Sequence, residues 1–335
     1  MFYHTPVLRI MFWIIVILVL ILPLYYVVWM PGVSYRGSLP PLTDEQKEVK
    51  SRLKEHVRML AGVIGERNVT RYGSLKKAAG YIDETFHKLG YSPLSQTYYY
   101  RDKEVRNIEV EIKGRVSPEE IVVIGAHYDS APGSPGANDN ATGTAAVLEL
   151  SRLLRDFKPA RTLRFVAFVN EEPPFFKTEY QGSYVYARRS KELSEHITAM
   201  LSIETIGYYS DKKATQKYPP PLSFFYPTTA DFIGFVGNLS SRSLVHSCIS
   251  AFRRSASFPS EGASSPSFIE GVDWSDHRSF WQMGYKAVMV TDTALFRYDY
   301  YHTPQDTPDK INFESTARVV DGLRHVAIEL AGTGG

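Results

Sequence analysis

Five segments of this chain carry side chains whose types and spacing suit metal binding. The first, Ile124-Gly-Ala-His127-Tyr-Asp129-Ser, follows an apolar run. Residues two apart in an extended chain point the same way. His127 and Asp129 can therefore pair, the carboxylate fixing the imidazole tautomer and raising its basicity toward a metal. Taken alone, the same residues read equally as a surface loop. The second segment is Ser134-Pro-Gly-Ala-Asn138-Asp139-Asn140-Ala-Thr-Gly. It reads either as a loop closed by Asn140 as a helix cap or as a loop offering Asp139 to two cations at once. In the third, Phe168-Val-Asn170-Glu171-Glu172-Pro-Pro, two adjacent glutamates end an apolar strand. Neighbouring side chains diverge, so one can bind metal while the other faces a substrate. Glu204 closes the apolar run Ser202-Ile-Glu204, and a buried carboxylate there needs a partner such as a cation. The fifth segment, Tyr301-His302-Thr-Pro-Gln-Asp-Thr, puts a histidine in a polar loop.

Each segment has a bland reading, as cap, surface charge or loop. Together they describe one site. Two imidazoles and three carboxylates suit zinc. A shared carboxylate with about two further ligands per ion leaves room for water, which two metals about 3.5–4 Å apart can hold as hydroxide. The single cysteine, Cys248, excludes an internal disulfide and any cysteine-based cluster. It reads as a small apolar filler.

The elements that must position these residues follow from periodicity. Thr43 and Gln46 form a capping-box pattern ahead of a helix with Leu53, Val57, Leu60 and Ile64 on one face. A second amphipathic helix covers Ser74 to Leu89 and stops at Gly90. Strands are expected at Thr97–Tyr100, Asn107–Ile112, Glu120–Gly125, Thr162–Asn170, Ala199–Ile206 and Lys286–Thr291. Helices are expected at Thr142–Phe157 and Phe313–Leu330. Between Tyr208 and Ser275 lie Pro219 to Pro221 and a Ser-rich stretch, Ser255 to Ser267. There the reading is mobile loops around a short strand and a helix near Ala230–Leu239, shaping or covering a cleft. Alternating strands and helices argue for an α/β layered fold, with ligands beyond the carboxyl ends of the strands.

Of the 335 residues, 44% are hydrophobic and 22% charged, enough for a real core, and the net charge of +2 is too mild for a nucleic-acid partner. Val7 to Met30 is apolar apart from Arg9. About 20 such residues span a bilayer as a helix. Phe2 and Tyr3 flank it on one side, Tyr25, Tyr26 and Trp29 on the other, as aromatic residues do at membrane interfaces. A cleaved signal peptide would show an Ala-x-Ala-like site, and none is clear after Met30. The expectation is an uncleaved anchor over residues 1–30 and a linker over 31–42. A catalytic domain over 43–335 follows, held at a lipid bilayer outside the cytoplasm. The oligomeric state is not legible.

The set His127-x-Asp129, Gly136-Ala-Asn-Asp139, Asn170-Glu171-Glu172, Glu204 and Tyr301-His302-Thr resembles the co-catalytic zinc aminopeptidase family, which includes aminopeptidase Y, glutamate carboxypeptidase and glutaminyl cyclase. The resemblance covers roughly Thr43 to Leu330. It implies a central mixed, mostly parallel β-sheet sandwiched by helices. It also implies two Zn²⁺ per chain, one held by His127, Asp139 and Glu204 and the other by Asp139, Glu172 and His302. Glu171 would be the general base, Asp129 the partner of His127, and Tyr301 a group polarising the scissile carbonyl. The family often has a cis peptide where Asp139 meets Asn140. Ser275-Asp276-His277-Arg-Ser-Phe-Trp281 matches a further family segment and reads as a structural cap and packing motif. The implied activity is removal of N-terminal residues from peptides. A carboxypeptidase would need a basic residue for the substrate carboxylate, such as Arg253, Arg254, Arg278 or Arg297. Two further alternatives stand beside these: a single-zinc, glutaminyl cyclase-like acyltransferase, and a non-catalytic membrane receptor or adaptor.

Overall fold

The computed structural model describes residues 6–220 and 222–334; Phe2, Tyr3 and Pro221 lie outside the described residues. Helix α1 (Pro6–Val28) is the one described helix long and apolar enough to cross a membrane. After it come α2 (Asp44–Val57), continued by a wider helical turn over Arg58–Ile64, and α3 (Tyr72–Lys88). Thr43 caps α2: its side chain accepts from the Gln46 backbone N–H while the Gln46 side chain accepts from that of Thr43. Strands β1 (Leu94–Tyr100), β2 (Lys103–Ile112) and β3 (Ser117–His127) follow. Next are α4 (Thr142–Leu153), β4 (Arg161–Phe168), α5 (Gly182–Glu192) and β5 (His196–Glu204). The last third holds β6 (Ile233–Gly237), α6 (Arg242–Ser255), β7 (Ser260–Ser264), α7 (His277–Gln282), β8 (Ala287–Thr291), α8 (Ala294–Arg297) and α9 (Phe313–Ala331).

The eight strands form one sheet in the order β1-β2-β4-β3-β5-β8-β6-β7. Its centre, β4-β3-β5-β8, is parallel, while β1, β2 and β6 join antiparallel. Burial on both faces makes β3 apolar at every position from Ile121 to Ile124, with alternate residues serving opposite cores. Val122, Ile124 and Ala126 pack with the core under α2, α3, α4, α6 and α9. Ile121 and Val123 pack with Phe168, Tyr186 and Phe280 beneath α5 and α7. Cys248 is buried in the larger core.

The segment from Tyr208 to Ser275 is more ordered than its composition implies. The strand at Ile233–Gly237 lies where a short strand was expected, but the helix follows it, at Arg242–Ser255. The Ser-rich stretch contains the edge strand β7, paired parallel to β6. Its serines and glycine mimic a loop in composition. Their small size instead allows close packing: a Cβ on Gly262 would meet the Met30 sulfur at 2.9 Å. Helix α5 also escaped the sequence reading, because its Arg, Lys and Ser content gives a weak apolar stripe.

Candidate metal centre

The parallel strands β3, β4 and β5 end side by side, and the chain turns sharply there. His127 closes β3 and Glu204 closes β5. Glu171 and Glu172 follow β4 by a few residues, after Asn170. Asn170, Thr205 and His302 have φ of 58°, 44° and 57°, a left-handed conformation costly for side chains with a Cβ. Such strain at strand ends is where functional groups are re-aimed. Asp139 lies in the tight loop before α4, and its peptide bond to Asn140 is cis.

The five residues read as ligands come together. His127 Nε2 lies 3.3 Å from Asp139 Oδ1 and 3.2 Å from Glu204 Oε2. His302 Nε2 lies 3.0 Å from the other oxygen of Asp139, Oδ2, and 3.2 Å from Glu172 Oε2. Asp139 thus stands between two sets, His127–Asp139–Glu204 and Asp139–Glu172–His302, each with donor atoms within 4.8 Å of one another. Glu171 Oε2 approaches His127 Nε2 at 3.9 Å. Asp129 Oδ1 lies 3.4 Å from His127 Nδ1. Its two carboxylate oxygens also accept the backbone N–H groups of Glu171 and Glu172, both at 3.1 Å. Asp129 therefore ties β3 to the turn after β4. The half-buried Tyr301 ring stacks on His302 with centroids 4.0 Å apart.

The residues fit a pair of cations. Among the described residues, both ring nitrogens of His127, Asp139 Oδ2 and Glu172 Oε1 are buried without a hydrogen-bond partner. Buried polar atoms are rarely left so. Burial raises the carboxyl of Glu204, and burial with the charge of Asp139 pushes Glu172 up to about 7. Burial also raises Glu171 well above the usual carboxylate range. Burial opposes charge on His302, but Asp139 and Glu172 overcome it and push the imidazole up to about 11. Burial would raise Asp139 too, yet the two imidazoles hold it below its ordinary value. These are the properties of a desolvated site that favours positive charge, and nitrogen and carboxylate donors suit zinc.

Several residues support the cluster from outside it, and of these Arg67 carried no sequence signal. Arg67 is fully buried and donates to the carbonyls of Tyr128, Pro135 and Gly136, pinning the loop between His127 and Asp139. Asp306 accepts the backbone N–H groups of Asn138 and Asp139 at 2.8 and 3.1 Å, setting the direction of Asp139. It lies four residues after His302 in the same polar loop, a spacing visible in the sequence. Asn140 does accept from the Gly143 N–H, as a cap would, but also donates to Glu204 Oε2. Ser275 donates to the same oxygen at 2.7 Å. Asp276 is wholly buried, and burial pushes it up to about 7. His277 bonds the Val272 carbonyl and stacks edge-on against Trp281.

Beside the cluster a cavity of about 120 Å³ reaches Glu204 and Tyr301 and is walled by Tyr218, Leu222, Tyr226, Phe232, Trp274 and Phe296. Arg297, buried behind it, donates to Gln216 and to the Phe232 carbonyl, holding the loop that forms one wall. Arg253 holds the carbonyls of Pro31 and Gly32, and Arg278 pairs with Asp273. Arg254 pairs with Glu329.

The sequence model of peptidase family M28 matches residues 107–327. The uncharacterized protein YfbL of Escherichia coli (strain K12) is 35% identical over 324 residues, 94% of this chain and 97% of that protein. The aminopeptidase YwaD of Bacillus subtilis (strain 168) is 30% identical over 209 residues, 60% of this chain but only 39% of YwaD. In fold, the chain is similar to the zinc aminopeptidase BSAP from Bacillus subtilis, with TM-score 0.67 and 17% identity, covering 84% of this chain and 95% of that one. It is also similar in fold to glutaminyl cyclase from Fimbriiglobus ruber, with TM-score 0.63 and 18% identity over 88% and 98% of the two chains. The match to two thirds of the chain and the end-to-end relative carry the same conclusion as the strand-end cluster: this chain belongs to peptidase family M28, and it is a metallopeptidase.

Proposed function

We propose that the chain is a two-zinc aminopeptidase tethered to a membrane by α1, with its catalytic domain outside the cytoplasm. The observation that carries the metal count is Asp139, whose two oxygens face different imidazoles in two separate donor sets. His127, Asp139 and Glu204 would hold one ion, and Asp139, Glu172 and His302 the other. When bound, such a pair supplies Lewis acidity that acidifies water and polarises a carbonyl.

The protein groups do the rest. Glu171 lies beside His127 but outside both donor sets, so its carboxylate is free to take a proton from the attacking water. It returns that proton to the amine as the peptide bond breaks. Asp129 orients His127 and, through two backbone N–H bonds, fixes where Glu171 and Glu172 begin. Tyr301 offers a hydroxyl to the carbonyl oxygen. The aromatic cavity beside Glu204 receives the N-terminal side chain, favouring a large apolar residue there. The surplus of carboxylates suits the free ammonium of a peptide. The arginines considered for a C-terminal carboxylate are engaged elsewhere, with Pro31 and Gly32, Glu329, Asp273 and Gln216. The cyclase-like reading needs one ion, and the second donor set argues against it.

Metal analysis and a chelator-sensitive assay on aminoacyl reporters test this reading. Glu171→Gln should keep both zinc ions and lose about 10²–10⁴-fold in kcat. Wild-type turnover in that variant, or one zinc per chain in the purified protein, would refute the assignment.

A further inference from the structure

The segment joining α1 to the catalytic domain is strapped along the sheet edge. The Arg242 guanidinium sits 4.1 Å above the Tyr26 ring, and its Nε donates to the Tyr26 carbonyl at 3.0 Å. Trp29 meets His246 edge-on at 5.3 Å. Arg253 donates to the carbonyls of Pro31 and Gly32 at 3.0 and 3.1 Å, and the Ser260 N–H donates to Ser34 Oγ at 2.9 Å. Residues 26 to 34 therefore run antiparallel to β7, reaching Ser34 at its first residue.

Strand register then fixes which end of the domain meets α1. Glu204 is level with Thr291, and Thr291 with Gly234, so the metal centre lies at the first residues of β6 and the last of β8. Arg242 lies at the other end: its neighbour Ser241 accepts the N–H of Ala287, the first residue of β8. The helix thus joins the domain at the end of the sheet remote from the metal centre. Four residues of β8 separate the two levels, about 13 Å of strand.

That remote end has the chemistry of a membrane-facing surface. Val116, Leu193 and Leu239 are 67%, 63% and 45% exposed there, at the turns before β3 and β5 and after β6. Lys158, Lys191 and Lys286 are exposed on the same end. Of the acids nearby among the described residues, Glu120 and Glu195 are paired with Arg161 and Arg164, and Glu192 with Arg188, leaving Glu119 and Asp156 against the three lysines.

We propose that this end of the sheet rests on a bilayer with anionic headgroups, and that the strap turns the catalytic crevice toward the aqueous phase. The inference rests on the reading that α1 crosses the membrane. It narrows the substrate class to soluble peptides with a free amino terminus, as opposed to termini embedded in lipid.

The full-length protein in nanodiscs of phosphatidylcholine and phosphatidylglycerol tests it. A fluorophore is placed at Leu239→Cys, Leu193→Cys or Gln305→Cys, Gln305 being exposed beside His302; the native Cys248 is buried. Lipids carrying a headgroup-level quencher should dim the labels at 239 and 193 several-fold more than the label at 305. Equal quenching at all three, or none at any, overturns the orientation. Release of the protein from membranes by alkaline carbonate overturns instead the anchor on which it rests. Arg242→Ala with Arg253→Ala should shrink the difference between the labels while leaving turnover of soluble peptides unchanged. An undiminished difference removes the strap from the explanation.

Discussion

Two buried histidines of this molecule lie beside carboxylates, and they differ in how completely those neighbours are satisfied. His56, between α2 and α3, bonds the Tyr81 hydroxyl at 2.6 Å and faces Glu149 at 3.5 Å. Glu149 is in turn held by Arg152 at 2.9 Å. Each charge there has a counter-charge and each ring nitrogen a neighbour, so the network locks helices together. His127 lies among Asp129, Asp139, Glu171 and Glu204 with no arginine or lysine paired to any of them among the described residues. Buried carboxylates in excess of buried cations mark a site completed by a ligand. A buried histidine is thus informative only through the charge balance of its surroundings.

The contrast breaks most sharply at the proposed ligand His127. His127→Ala should abolish measurable peptidase activity and lose most bound zinc, read by metal analysis of the purified variant; retention of two zinc ions would place His127 with His56 as a structural group. One step out, Asp129→Asn should weaken metal affinity by about 10–100-fold. Competition with a calibrated chelator measures this, and an unchanged affinity would restrict Asp129 to bracing the turn after β4. His56→Phe should instead cost about 1–3 kcal/mol in denaturant unfolding through the loss of partners for Tyr81 and Glu149, with zinc content and kcat unchanged. Loss of zinc in that variant would erase the distinction.

An effect confined to stability and its pH dependence concerns His277, which is buried and touches none of the five clustered side chains. Burial lowers its imidazole to about 4, from 6.5. The folded state then binds fewer protons than the unfolded chain between those values. Its contribution is complete above about pH 6.5 and fades as the pH falls toward 4, by about 3 kcal/mol in all. The stability gap between wild type and His277→Asn should therefore be wider at pH 7.5 than at pH 4.5; a pH-independent gap would show that burial leaves the group's titration untouched.

The sequence by itself determined the elements with strong periodicity and the side chains that the fold gathers into one cluster. Apolar runs bounded by turns located β3, β4, β5 and β8. The capping pattern at Thr43 announced α2, and His, Asp and Glu at strand ends announced a cluster. Local preferences set these features, and they act over a few residues. Tertiary structure alone decided the rest. Arg67 braces the loop of Asp139 through bonds to carbonyls far away in sequence, which no spacing records, and the pairing of Asp306 with the Asp139 N–H exists only once the two loops meet. The serines and glycine of β7 became a strand because β6 offered an unpaired edge. Which end of the sheet receives the apolar helix follows from the register of β5, β8 and β6, since strand direction is settled only when strands pair.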